Sequence, residues 1–320
     1  HAVATSPHGV PPQVHFLRSD GDSWELAQSL PVPEGFTASW QFGFGMAIDG
    51  GVARIGDPSG VSPNGNEGGF ILRYDYDEGT GTWAYGGHQS NIFGEGAALG
   101  ASLAFDESTE TYVQGMPGRD PAGAVLVIRV GSGSLLVEPP VPGGSGFGVA
   151  VSLLGDRVAI SEYDNAQASK VHIYRFDESE FLVLEQTIPG DPSPFDGTGF
   201  GFRIKLLENR LLASAPLAMS EEFYEIGAIH SFVDTGSGFE FEQMLTSGSP
   251  GPGNWFGAWF DADGDFLIAS EIGADDLAYN SGVNWVFELV EQEDGSSSWV
   301  RCAKLIDPLG TSNSLSAFPA

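Results

Sequence analysis

The residues best suited to chemistry in this chain are the run Asp261-Ala262-Asp263-Gly264-Asp265. Alternating carboxylates offer hard oxygen ligands to a calcium ion, and the glycine permits the sharp turn that such a loop needs. Phe266-Leu267-Ile268-Ala269 follows at once, so the further acid that completes a cation loop is missing. The plainer reading is a tight Asp-Gly hairpin. Other turns (Gly155-Asp156, Asp49-Gly50, Glu208-Asn209) carry too few ligands. The expectation is therefore at most one Ca2+, at Asp261, Asp263 and Asp265, and no required cofactor.

Other reactive residues give less. The six histidines show no H-x-x-x-H ligand spacing, and His15, His172 and His230 recur at matching places, which reads as a repeat position. His1 offers an amine and an imidazole to copper, but its neighbours Ala2–Pro7 read as a strand. No nucleophile elbow, P-loop or dinucleotide fingerprint occurs. Cys302 sits in an alternating run and reads as a small buried residue. Aromatics in loops carry more interest, because an exposed ring can stack on a sugar or anchor a protein. Phe223, Tyr224 and Trp255 are the candidate partner-binding residues, with Phe195 in a long connection. Trp40 and Trp259 are expected to pack between repeats.

These residues are positioned by a repeat. An aromatic-Gly or Leu-Gly box recurs about every 53 residues: Phe42-Gly43, Leu99-Gly100, Phe147-Gly148, Phe200-Gly201, Phe256-Gly257 and Leu309-Gly310. A repeat of this length is one supersecondary unit, and such units stack because none buries its apolar face alone. In the third repeat, alternation and turn residues predict strands at 149–153, 157–161, 170–176 and 181–186. Four short strands per repeat describe a β-propeller blade. In the turns between third and fourth strands, Gly is followed by an aromatic (Trp24, Phe239, Trp299) that plugs the gap between blades.

The two ends complete each other. His1–Pro7 reads as a second strand, residues 13–18 and 24–30 as a third and fourth, and 309–315 as an orphan first strand. The predicted fold is thus all-β, a single six-bladed β-propeller over 1–320, with six blades preferred to seven. Blades open near 42, 99, 147, 200, 256 and 309, and the last is closed by 309–320 with 1–31. Closure of this kind removes exposed edges.

The boxes, with Gly56-Asp57-Pro58, Gly115-Met116-Pro117 and Ser214-Ala215-Pro216 ending second strands, resemble the FG-GAP repeats of integrin-α propellers over nearly the whole chain. The resemblance implies the fold, and implies calcium loops between first and second strands, where Asp261–Asp265 lies. Ser161-Glu162-Tyr163 and Ser270-Glu271-Ile272 depart from the pattern. Asp75–Trp83 is similar to the Asp-box turn of sialidases with one residue too many, and that box is structural. The arginines lie at matching strand positions (Arg18, Arg73, Arg129, Arg175), which reads as scaffolding.

Net charge is -30 with three lysines, Lys170, Lys205 and Lys304. Such a surface disfavours nucleic acid and anionic membrane, and no apolar run is long enough for a membrane helix. Salty extracellular or cell-surface surroundings suit it. The chain begins at His1 with no signal-like segment, so a processed or trimmed product is expected. The expected function is a secreted, non-enzymatic propeller for protein interaction, adhesion or extracellular assembly, including self-assembly. Its face would be the loops 57–68, 115–123, 161–170, 215–226 and 270–282, since loops on a rigid scaffold carry function. A glycan-binding propeller and a glycosidase with channel carboxylates are the alternatives. The charge itself gives a test. The melting temperature at neutral pH should rise with added NaCl, and more than with a non-ionic osmolyte, because salt screens self-repulsion. A flat or falling curve would contradict this.

Overall fold

The computed structural model describes residues 1–8, 11–21, 23–163, 169–190, 199–276, 280–293 and 295–306. The chain is an all-β six-bladed β-propeller, and the described residues form five antiparallel sheets of four strands and one of three. The three-stranded sheet holds β1 (Ala2–Ser6), β2 (Gln13–Ser19) and β3 (Trp24–Pro31). The first four-stranded blade holds β4 (Met46–Asp49), β5 (Val52–Asp57), β6 (Phe70–Asp77) and β7 (Thr82–Ser90). The second holds β8 (Ser102–Asp106), β9 (Thr111–Met116), β10 (Ala124–Arg129) and β11 (Gly133–Val137). The third holds β12 (Phe147–Leu154), β13 (Arg157–Glu162), β14 (Lys170–Phe176) and β15 (Leu182–Pro189). The fourth holds β16 (Ile204–Leu207), β17 (Arg210–Ala215), β18 (Ala228–Asp234) and β19 (Phe239–Leu245). The fifth holds β20 (Phe256–Asp263), β21 (Phe266–Glu271), β22 (Val283–Glu291) and β23 (Ser297–Leu305). The strand expected at 309–315, and Phe195, lie outside the described residues.

Two compact units divide the chain, His1–Gly155 and Asp156–Pro319. In the first, Val3, Phe16, Phe42, Ile55, Phe70, Leu72, Tyr74 and Trp83 form one apolar cluster. In the second, Phe256, Leu267, Trp285, Phe287 and Trp299 pack with Leu212, Ile229 and Leu245.

The recurring box now has a physical cause. Its apolar residue is buried in every described copy: Phe42, Leu99, Phe147, Phe200 and Phe256. In three copies its amide donates to the end of the preceding loop, Leu99 to Gly68 O, Phe147 to Ala122 O and Phe256 to Ile226 O. Its glycine enters the left-handed region and lies against the neighbouring blade. Gly100 has φ +88°, and a Cβ there would stand 2.9 Å from Gly56 Cα and 3.0 Å from Phe70 O. No side chain fits without moving backbone.

Fourth strands carry a second recurring device. A β-bulge leaves Ala27, Gly86, Glu185, Glu242 and Cys302 unpaired against the third strand. A bulge bends a strand and re-aims the next side chain. In three blades that next residue is glutamine, and it closes a reciprocal pair with the main chain of the following blade. Gln28 meets Trp83 at 2.9 and 2.7 Å. Gln186 meets Phe239 at 2.9 and 2.8 Å. Gln243 meets Trp299 at 3.1 and 2.9 Å. The aromatics so gripped are buried, as the plug reading requires.

Three expectations fail on local grounds. Cys302 is exposed, because it is the bulge residue of an outer strand and strict alternation does not apply to it. Trp24 is 57% exposed, standing at the free start of β3. Trp40 is 63% exposed and meets only the edge of Phe44, at 5.3 Å, in the turn before β4.

Candidate loop site in the second unit

The loop after β17 and the segment before β20 run side by side. Gly253 N donates to Tyr224 O at 3.1 Å and Trp255 N to Glu225 O at 3.1 Å. Tyr224 is 61% exposed and Trp255 40%. Phe223 is turned half inward, its amide and carbonyl both held by Ser220. Glu225 and Trp255 have φ +53° and +52°. The indole Nε1 of Trp255 donates to Glu225 Oε2 at 2.7 Å, which fixes the ring. The position before the box is left-handed in other repeats too, but Ala98, Gly146 and Gly199 fill it there. A large aromatic at this φ costs about 1–2 kcal/mol. Three residues singled out from sequence therefore fall on one loop pair, with Tyr224 and Trp255 outward.

The segment before β20 rests on a buried carboxylate. Glu271, 1% exposed, accepts from Ser247 Oγ (2.8 Å), Asn254 Nδ2 (2.6 Å) and Trp285 Nε1 (2.7 Å). Asp57 and Glu162 occupy the same place at the ends of β5 and β13 and are also buried. Burial pushes Asp57 above the usual carboxylate range, opposed by bonds from the Ser39 hydroxyl and amide. Asp57 and Glu271 thus tie down the segment before the first strand of their own blade, through Ser39 and Asn254.

Glu162 belongs to a chain of carboxylate, imidazole and hydroxyl. His172 Nε2 lies 2.9 Å from Glu162 Oε2, and Nδ1 lies 3.0 Å from Thr187 Oγ1. Burial pushes His172 below its ordinary pKa, against the pull of Glu162. The order resembles a catalytic relay. The same cross-strand stitch recurs at His15, which bridges Ser6 Oγ and Ser29 Oγ at 2.9 Å each and has no acid. Both histidines face the second and fourth strands at the same register, so the stitch belongs to the sheet.

The aspartates at 261–265 are separated by their hairpin. Asp261 and Asp263 lie in β20, Asp265 in the turn, and Asp263 pairs with Phe266. Asp261 Oδ1 is 2.6 Å from Lys205 Nζ. Among the described residues, no three His, Cys, Asp or Glu side chains gather tightly enough to hold a metal.

Sequence reasoning passed over Arg203 and read Trp259 as packing between repeats. Both stand two residues after a box glycine, where earlier repeats have Gly45, Ser102 and Ala150. That change from small to large within a repeat position was the available signal. Trp259, expected to fill a blade gap, is half-buried over the Arg203 guanidinium at 4.0 Å.

No family model matches the chain. No curated protein matches it either. Solved structures do. A functionally unknown protein from Desulfotomaculum acetoxidans is similar with TM-score 0.55 at 13% identity, over 96% of this chain and 81% of that one. A putative TolB from Agrobacterium tumefaciens gives TM-score 0.51 at 10% identity, over 98% and 93%. A periplasmic gluconolactonase from Pseudomonas aeruginosa gives 0.49 at 13%, over 95% of each chain. The first two support the propeller and say nothing of activity, and the third carries no argument. Membership of the FG-GAP family is not shown by these matches.

Proposed function

We propose that the chain is a secreted, non-enzymatic binding propeller that engages a protein partner, a second copy of itself included, through Tyr224 and Trp255. One observation carries this reading. Trp255 is exposed in a left-handed position that three other repeats give to Gly or Ala, and Glu225 locks it there. Strain kept at an exposed aromatic is a mark of function and not of stability. Two neighbouring rings on a rigid loop pair give the anchor type that dominates protein interfaces. The charge of -30 suits saline surroundings.

Trp255→Gly combined with Tyr224→Ser tests the reading. Glycine relieves the backbone, so the melting temperature should stay within about 2–4 °C of the parent. Sedimentation velocity over a concentration series should show self-association weakened about tenfold or more, the effect of losing a hot spot. A parent that stays monomeric, or a variant that associates equally well, would overturn self-assembly. A glycan array bound by the parent and lost in the variant would replace this reading with sugar binding.

A further inference from the structure

Arg203 is explained neither by the sheet nor by the loop pair. Its guanidinium lies 4.0 Å from the ring centroid of Trp259 and 4.8 Å from that of Phe202. Tyr163 meets Phe202 edge to face at 5.9 Å. Of five guanidinium N–H donors, one is used, from Nη1 to Phe202 O at 3.0 Å. Arg18, Arg73, Arg157, Arg175 and Arg210 all face carboxylates. Arg203 faces none among the described residues, in a chain with 43 acids and 13 Lys and Arg, and it shares this with Arg54 over Tyr112 and Arg301 over Trp285 but alone lies against two rings. The side chain is half-buried, and desolvation pushes its pKa down to about 10, so it stays charged at neutral pH.

The surroundings are also built. Arg203 N donates to Ser214 Oγ at 3.0 Å. Trp259 N donates to Ser270 Oγ at 3.1 Å, and that hydroxyl donates back to Trp259 O at 3.0 Å. Two serines at matching ends of β17 and β21 thus fix the backbone under the arginine and the tryptophan. Where earlier repeats keep this position small, the fourth and fifth blades place a planar cation against aromatic rings.

We propose that Arg203, Phe202, Trp259 and Tyr163 form a binding site for a small carboxylate that carries a ring. The guanidinium fork matches a carboxylate in a two-point grip, which an ammonium does not reproduce. The aromatic side chains beside it suit a ring attached to that carboxylate. This site does not depend on the loop reading above.

The test uses the full chain, with D-glucuronate as probe and D-glucose as its neutral match, followed by tryptophan emission and calorimetry. Glucuronate should bind about tenfold or more tightly than glucose. Arg203→Met should abolish that difference and keep the melting temperature at or above the parent's, since the charge goes while the apolar stem still packs. Arg203→Lys keeps charge and stem, and should lose most of the preference while remaining folded, so it carries the test if the Met variant does not fold. Equal affinity for the two sugars, or a preference that survives Arg203→Met, overturns the site. So does a parent that binds no glucuronate while Arg203→Met melts well below it, which assigns the arginine to the scaffold. Inorganic phosphate binding as tightly as glucuronate overturns the carboxylate class.

Discussion

Gly100→Ala should lower the unfolding free energy by about 2–5 kcal/mol, one of the largest single-residue effects in this chain. Two costs add. An L residue at φ +88° costs about 1–2 kcal/mol. The new Cβ would also stand 2.9 Å from Gly56 Cα and 3.0 Å from Phe70 O, and overpacking against backbone costs about 1–3 kcal/mol. Gly131→Ala is the control. Gly131 has φ +89° with nothing within 4 Å of the added atom, so only the backbone cost applies. Urea unfolding of both variants separates the terms. If they lose equal stability, the close approach to Gly56 contributes nothing and the box needs glycine for its φ alone.

Glu271→Ala should cost about 3–5 kcal/mol. The substitution leaves the hydroxyl of Ser247, the amide of Asn254 and the indole N–H of Trp285 without their acceptor, and it opens a hole among buried groups. Each buried donor so stranded costs about 1–3 kcal/mol, part of which water entering the hole recovers. Glu271→Gln should cost less, about 1–3 kcal/mol, because its amide N–H meets a donor at one of the three contacts. Because Asn254 adjoins Trp255, Glu271→Ala should also raise amide exchange at 253–256 above that of the β21–β22 core. A loss below about 1 kcal/mol, with exchange unchanged, would show that water replaces the carboxylate fully.

The strands were legible because they are short, alternating and bounded by turn residues. In the third repeat the predicted runs 157–161 and 170–176 match Arg157–Glu162 and Lys170–Phe176 closely. Tyr224 and Trp255 were legible as aromatics in connections. What the sequence hid is set by geometry that period-2 reasoning does not hold. One extra residue in the fourth strand turned Cys302 outward. Glu271 read as a degenerate motif because its three donors come from residues 14 to 24 positions away. Arg203 fell under the general reading of the arginines as scaffolding, and its setting against Trp259 and Phe202 comes from packing that spacing does not show. The electrostatics of a charge depend on neighbours that spacing does not name.

The glutamine that follows three of the five fourth-strand bulges has a bearing on how such a chain grows. The fastener belongs wholly to one repeat, while its receptor is a peptide N–H and C=O that any sequence supplies. Gene duplication that inserted a further copy would bring its own fastener and need no matching side chain from its neighbour. The loops at the other end of the strands are then free to diverge copy by copy, which is where Trp255 and Arg203 differ from their counterparts.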